Sequence, residues 1–157
     1  MENMEGESFK VILFRLNGET YGVPIDQVLS IERIQPVTRV PNAAEYVEGV
    51  MNLRGLIIPV IDVRSRFHMN RAELTADSRI IIADVGELQV GLLVDSAKEV
   101  MDIKKNSIEK TPDIVGGPEA EYINGVAKIV NDDLLILLNL DRVLNEEEVD
   151  EIKRIEV

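Results

Sequence analysis

Val11-Ile12-Leu13-Phe14-Arg15-Leu16-Asn17-Gly18-Glu19-Thr20-Tyr21-Gly22-Val23-Pro24-Ile25-Asp26 reads as a strand, a tight turn and a return strand. Asn17-Gly18 suits a type I′ turn because both residues tolerate positive φ. The pattern recurs 69 residues later, without a gap, so that residues 11–31 fall on 80–100. Ile12 meets Ile81, Gly22 meets Gly91 and Asp26 meets Asp95, while Val11/Ile80, Leu13/Ile82, Tyr21/Val90, Val23/Leu92 and Ile31/Val100 keep apolar character. The alignment resumes at an offset of 76, where Glu45-Tyr46-Val47-Glu48-Gly49-Val50 meets Glu121-Tyr122-Ile123-Asn124-Gly125-Val126 with four identities in six. At an offset of 77, Val60-Ile61-Asp62-Val63 meets Leu137-Leu138-Asn139-Leu140. Apolar alternation would align any two strands, but it does not align glycines, aspartates and a six-residue block in one order.

The chain is therefore two copies of one β unit. Further strands are expected at Val28–Ile34, Val47–Leu53, Leu56–Val63, Leu88–Val94, Tyr122–Val130 and Leu134–Leu138, with Arg54-Gly55, Gly86-Glu87 and Asn131-Asp132 as turns. A unit of about 70 residues buries too little apolar surface to stand comfortably alone, so the copies should share a core. The expected architecture is mainly all-β, two small barrels fused side by side. Helix is confined to short stretches and the C-terminus, where Asn145 can cap a segment opening Glu146-Glu147-Glu148, with Val149, Ile152 and Ile155 on one face.

Composition removes several kinds of chemistry. The chain has 157 residues, no Cys and one His, so disulfides, thiolate metal sites and cysteine catalysis are excluded and histidine-based ones are short of material. Lys and Arg number 17 against 29 Asp and Glu, a net charge of −12, which argues against nucleic acid as partner. Residues 1–8 carry Glu2, Glu5 and Glu7 with no base and read as a flexible acidic tail without a secretion signal. No apolar run approaches the roughly 18 residues of a membrane span, so a cytoplasmic protein is expected. Arg54, Arg64, Arg66 and Arg71 run against this acidity. For Arg64, Arg66 and Arg71 the simpler reading is a set of solvated rim residues; the other is a docking patch.

No catalytic constellation emerges. Asp26 and Asp95, each after a strand, and Asp62 with its repeat partner Asn139 read as turn caps. His68 lies in a polar stretch with no partner at metal or nucleophile spacing. Val115-Gly116-Gly117-Pro118 lacks the Lys-Ser/Thr of a phosphate loop. Binding is the function most consistent with these residues, and the junction between two duplicated barrels is its natural place.

The segment Gly49-Val50-Met51-Asn52-Leu53-Arg54-Gly55 leading into Ile58-Pro59-Val60-Ile61-Asp62-Val63-Arg64 closely resembles the hallmark of the CheW family, the coupling proteins of bacterial chemotaxis. Tyr21-Gly22-Val23, Val37-Thr38-Arg39-Val40-Pro41-Asn42 and Val90-Gly91-Leu92-Leu93-Val94-Asp95 fit as well, and the resemblance spans residues 9–145. It implies two five-stranded SH3-like barrels around a shared core, built on repeats at about 9–70 and 78–140 whose interleaving stays open, followed by an acidic helix over 146–157. It implies a non-enzymatic adaptor without cofactor or metal. That adaptor joins chemoreceptor hairpin tips to the regulatory domain of the histidine kinase CheA, and is recruited from the cytoplasm to membrane-associated arrays. Self-association through barrel ends is compatible with this role.

Carried over by residue, Arg54 matches the motif arginine associated with receptor binding, with Asn52 and Gly49 in the same hairpin. Val28, Ser30, Ile31 and Val100 align with the family's groove positions. Many relatives carry an acid where this chain has Ser30; Glu32, two residues on and so on the same strand face, is placed to supply that charge. Asp113 and Ile114 align with the loop that relatives present to the kinase. A reading from another class is a small-ligand or hydrolytic double barrel using Asp62 and Arg54 in the inter-barrel groove.

Overall fold

The computed structural model describes residues 7–70, 73–109, 123–129 and 133–154. Eleven strands and three short helices follow one another along them. The first repeat supplies β1 (Ser8–Leu16), β2 (Glu19–Pro24), β3 (Val28–Arg33), β4 (Val47–Leu53), β5 (Leu56–Asp62) and α1 (Val63–Arg66). The second supplies β6 (Arg79–Val85), β7 (Leu88–Val94), β8 (Ser96–Lys104), β9 (Ile108–Glu109), β10 (Ile123–Lys128), β11 (Leu134–Leu138) and α2 (Leu140–Val143), and α3 (Glu146–Lys153) ends the series. β1 begins where the acidic tail was expected to run. Glu7 also belongs to it structurally, since its carbonyl accepts from the Lys105 N–H at 3.0 Å and its carboxylate pairs with Lys105 Nζ at 3.2 Å.

Each sheet draws strands from both repeats. One has the order β8-β1-β2-β11-β10-β9, the other β3-β6-β7-β5-β4. A hairpin from one copy is thus completed by strands of the other, through parallel pairs that match under the duplication: Gly22 lies opposite Leu137 in one sheet and Gly91 opposite Val60 in the other. We call these barrel A and barrel B. Barrel A closes where β9, reached from β8 through a 3-10 turn, pairs with β10. Barrel B closes at the equivalent place, where Thr38 and Val50 exchange backbone hydrogen bonds of 2.7 and 2.8 Å.

Strand alternation sorts the apolar side chains into three cores. Val11 and Leu13 fill barrel A with Ile103, Ala127, Leu135 and Leu137. Ile80 and Ile82 fill barrel B with Met51, Leu53, Ile58 and Val60. The intervening residues of the same two hairpins, Ile12, Phe14 and Leu16 against Ile81, Ala83 and Val85, meet between the barrels in the largest cluster. Stacking of Phe14 on Tyr21 at 5.7 Å and of Tyr21 against Phe67 at 6.0 Å extends this cluster toward α1. The shared core is thus made of both hairpins, and neither barrel can be removed without uncovering it.

Of the four residues expected as turn caps, two cap helices. Asp62 caps α1 through Ser65 N–H and Asn139 caps α2 through Asp141 N–H. Asn145 and Glu148 form a reciprocal capping box on α3, whose Val149 and Ile152 pack on the shared core.

Arg64 and Arg66 differ from the expectation of solvated residues. The Arg64 guanidinium reaches Asp95 at 2.8 Å and the Asn70 carbonyl at 2.8 Å; Asp95 also accepts from Asn17 N–H, so α1 is tied to the β1–β2 turn. Arg66 binds the Val143 carbonyl and Glu148, and lies 4.7 Å from the Tyr46 ring centroid. Both arginines are internal fasteners, because partners distant in sequence converge on them. Arg71 lies outside the described residues.

Tyr46 reports on this anchorage. Its hydroxyl donates to Glu148 at 3.2 Å, and its pKa is pushed up to about 12 by burial first and by the Glu148 carboxylate second, with Arg66 opposing. The unfolded chain would ionise near the ordinary 10.0, so the stability this group lends is present below that pH and is lost as pH rises toward 12. A phenolate absorbance titration should show one tyrosine ionising near pH 12, and Glu148→Gln should bring it down.

Candidate functional site

β3 is the element on which the predicted positions gather, and it divides them between two faces. Its antiparallel register sets Ser30 opposite Ile82 and Glu32 opposite Ile80, and both isoleucines point into barrel B. Directly opposed residues share a face, so Ser30 and Glu32 look toward the inside and mouth of barrel B. Ile31 lies opposite Ile81, and Val28 opposite Ala83, both members of the shared core. Ile31 and Val28 therefore belong to the inter-barrel side. The extra residue Leu29 marks the register shift that lets Val28 and Ile31, three apart, share that side.

Val100 repeats this arrangement on the other barrel. It lies opposite Ile12 on β1, another shared-core residue, and Lys98 interrupts the register where Leu29 does. Ile31 and Val100 thus stand at equivalent margins of the shared core, 38% and 53% exposed, where the buried interface comes to the surface. Exposed apolar residues at the margin of a buried interface suit the apolar face of a helix.

The β4–β5 hairpin places Arg54. Leu53 pairs with Leu56, leaving Arg54 and Gly55 as the two turn residues with φ of 51° and 88°. This is the type I′ geometry that Asn17 and Gly18 adopt at 53° and 81°. Asparagine accepts left-handed backbone readily; arginine does so at a cost of about 1 kcal/mol. Asn52 steadies the turn by accepting the Gly55 N–H at 2.9 Å. The Arg54 side chain is 74% exposed and its Nη2 lies 3.5 Å from Glu32 Oε2. An exposed cation is thereby held at a strained tip beside the strand that carries Ile31.

Gly49 sits elsewhere. It is buried, with φ of 150°, and a Cβ there would lie 2.2 Å from the Thr38 carbonyl oxygen. The close approach that it permits is that of its own chain at the barrel B closure. Gly125 holds the same place in barrel A, with φ of 158°. Asp113 and Ile114 lie outside the described residues. Asp62 is 5% exposed at the far end of β5 from Arg54, roughly 20 Å along the strand, so these two residues do not form one site.

Sequence reasoning did not single out Leu56 and Ile57, which follow Arg54-Gly55 and are 59% and 47% exposed, nor Leu134, 54% exposed and one repeat on from Ile57. Each opens a return strand that reads as continuously apolar, and such runs do not reveal which residues stay outside. Two clefts, of about 720 and 740 Å³, lie against α3 and beside the β1–β2 hairpin, the second lined in part by Glu99 and Met101 on either side of Val100. No helix among the described residues is long and apolar enough to cross a membrane.

A family model described as CheW-like domain matches residues 10–148. A chemotaxis protein CheW of Bacillus subtilis is 38% identical over 138 residues, covering 88% of each chain. One from Rhizobium meliloti is 37% identical over 139 residues, covering 88% of this chain and 89% of its own. The crystal structure of the scaffolding protein TtCheW from Thermoanaerobacter tengcongensis matches with a TM-score of 0.82 and 35% identity, over 90% of this chain and 96% of that one.

Proposed function

The chain belongs to the CheW family of chemotaxis adaptors, and from that premise we propose that it couples chemoreceptor hairpin tips to the regulatory domain of the kinase CheA without catalysing a reaction. The observation that carries the receptor half is the exposure of Ile31 and Val100 at equivalent margins of the shared core. A receptor helix laid there would bury their side chains, and Arg54 would meet a carboxylate on it. Asn52 holds the turn that presents Arg54, and Glu32 lies beneath the guanidinium. The kinase half rests on the family's mode of barrel-to-barrel contact, with Asp113 and Ile114 as its assigned residues. The exposed Ile57 and Leu134, equivalent in the two barrels, favour barrel-end contacts of this kind, including contacts between copies of the chain.

Arg54→Asn is the variant that tests the receptor assignment. Asparagine relieves the left-handed strain but takes the guanidinium from Glu32, two opposed effects of about 1 kcal/mol each, so chemical denaturation should show stability within about 1 kcal/mol of the parent. Titration with a receptor hairpin-tip fragment should at the same time show roughly tenfold weaker binding. A folded variant that binds the fragment as well as the parent would remove Arg54 from the receptor face.

A further inference from the structure

Helix α3 lies with an open cleft on each of two flanks. The larger, of about 720 Å³, has one wall from the segment between β3 and β4, with Val40, Pro41, Ala43 and Ala44, and the other from Ile152 on α3. The smaller, of about 450 Å³, separates Val149 and Asp150 on the helix from the β6–β7 turn. Both walls of the larger cleft are pinned. Tyr46 on one side donates to Glu148 on α3 at 3.2 Å, and Ile152 is buried in the shared core. The Val47 N–H bonds the Ala44 carbonyl at 2.9 Å, and the Asp62 N–H bonds the Tyr46 carbonyl at 2.8 Å. A cleft fixed before its occupant arrives costs little ordering energy to fill. None of these residues is among those assigned to receptor or kinase.

Charge decides what fills it. The exposed face of α3 carries Glu147, Asp150 and Glu151, and the smaller cleft adds Glu87 and Asp141. Against these stand Lys153, already 3.2 Å from Glu87, and Arg154 at the end of the helix. A carboxylate-rich rim beside an aliphatic floor repels nucleic acid, an anionic membrane and the same face of a second copy. It attracts a cationic segment that also has apolar residues to bury.

We infer that the larger cleft and the acids of α3 form a docking surface for a basic amphipathic helix of another protein. Its aliphatic side chains, three or four residues apart, enter between Val40 and Ile152. Its Lys and Arg residues, flanking that stripe, meet Asp150 and Glu151. Such a helix lies alongside α3 at the usual spacing of packed helices, about 8–10 Å. The surface is a third point of attachment, separate from the receptor margin at Ile31 and Val100 and from the loop of Asp113 and Ile114.

The probe is a synthetic amphipathic peptide of Leu and Lys, about 14 residues long so that it can form a helix, with a counterpart in which Glu replaces Lys. In amide NMR titrations of the full chain, the Leu/Lys peptide should shift residues 40–44 and 149–154 saturably, and the Leu/Glu peptide should shift nothing. Val40 belongs to none of the three cores, and Glu151 is exposed, so both can be changed with the fold kept. Val40→Asp and Glu151→Lys should each weaken binding of the Leu/Lys peptide about tenfold. Absence of saturable binding, shifts centred on Ile31 and Val100, equal binding of the two peptides, or full affinity in either variant would overturn the inference. Sedimentation of the chain alone tests the other occupant. A concentration-dependent dimer that Val40→Asp abolishes would give this face to a second copy and overturn the inference as well.

Discussion

Gly49→Ala should lower stability by about 4 kcal/mol, the sum of two penalties of a few kcal/mol each. The first is conformational, because a φ of 150° is unfavourable for any residue with a side chain. The second is steric: the new methyl would stand 2.2 Å from the Thr38 carbonyl oxygen and 2.8 Å from its carbon, and backbone atoms cannot rotate aside. Relief requires parting Thr38 from Val50, the bridge that closes barrel B. For a chain of this length the loss corresponds to roughly 12 °C in melting temperature. Gly55→Ala is the control. Gly55 also has positive φ, at 88°, but nothing lies within 4 Å of its would-be Cβ, so only the conformational penalty applies. Urea denaturation of both variants checks this: equal losses would show that the closure at Thr38 does not set the effect. The hallmark glycine then serves the fold.

The second large effect concerns binding. Ile31→Asp and Val100→Asp should each weaken binding of a receptor hairpin-tip fragment about a hundredfold or more, because a buried, unpaired carboxylate in an interface costs about 3 kcal/mol or more. Both positions are partly exposed in the free chain, so each variant should fold, with stability within about 1 kcal/mol of the parent. The duplication sharpens the expectation. The two residues are equivalent under the repeat and stand on different barrels, and the proposed receptor helix, lying along the junction, is expected to meet both. A large loss from one variant and none from the other would place the helix on a single barrel. Affinities by calorimetry, with circular dichroism as the folding control, decide it.

Much of this architecture was legible because the chain is written twice. Matching glycines and aspartates located the hairpins, and the shift from an offset of 69 to 76 and 77 located the loops between them. The strand exchange was not legible: a repeat gives the same alignment whether a strand pairs within its own copy or across to the other. β8 was missed as a strand because Lys98, Glu99, Asp102 and Lys104 break up its apolar period, although the repeat had already set Val100 against Ile31. At the site, strand periodicity put Ser30 and Glu32 on one face; which face that was depended on the pairing with Ile80 and Ile82. Arg64 and Arg66 looked like surface charges for a similar reason. Their acceptors, Asp95 and Glu148, lie 31 and 82 residues away, a distance that no local pattern spans.

The adaptor role requires two partners to be held at once. Sedimentation of the full chain with a receptor hairpin-tip fragment and the regulatory domain of CheA is the most direct measurement of it. A ternary complex containing one of each is expected, from which Val100→Asp removes the receptor fragment and leaves the kinase domain bound. Mutually exclusive binding of the two partners, or a chain that is folded and binds neither, would contradict it.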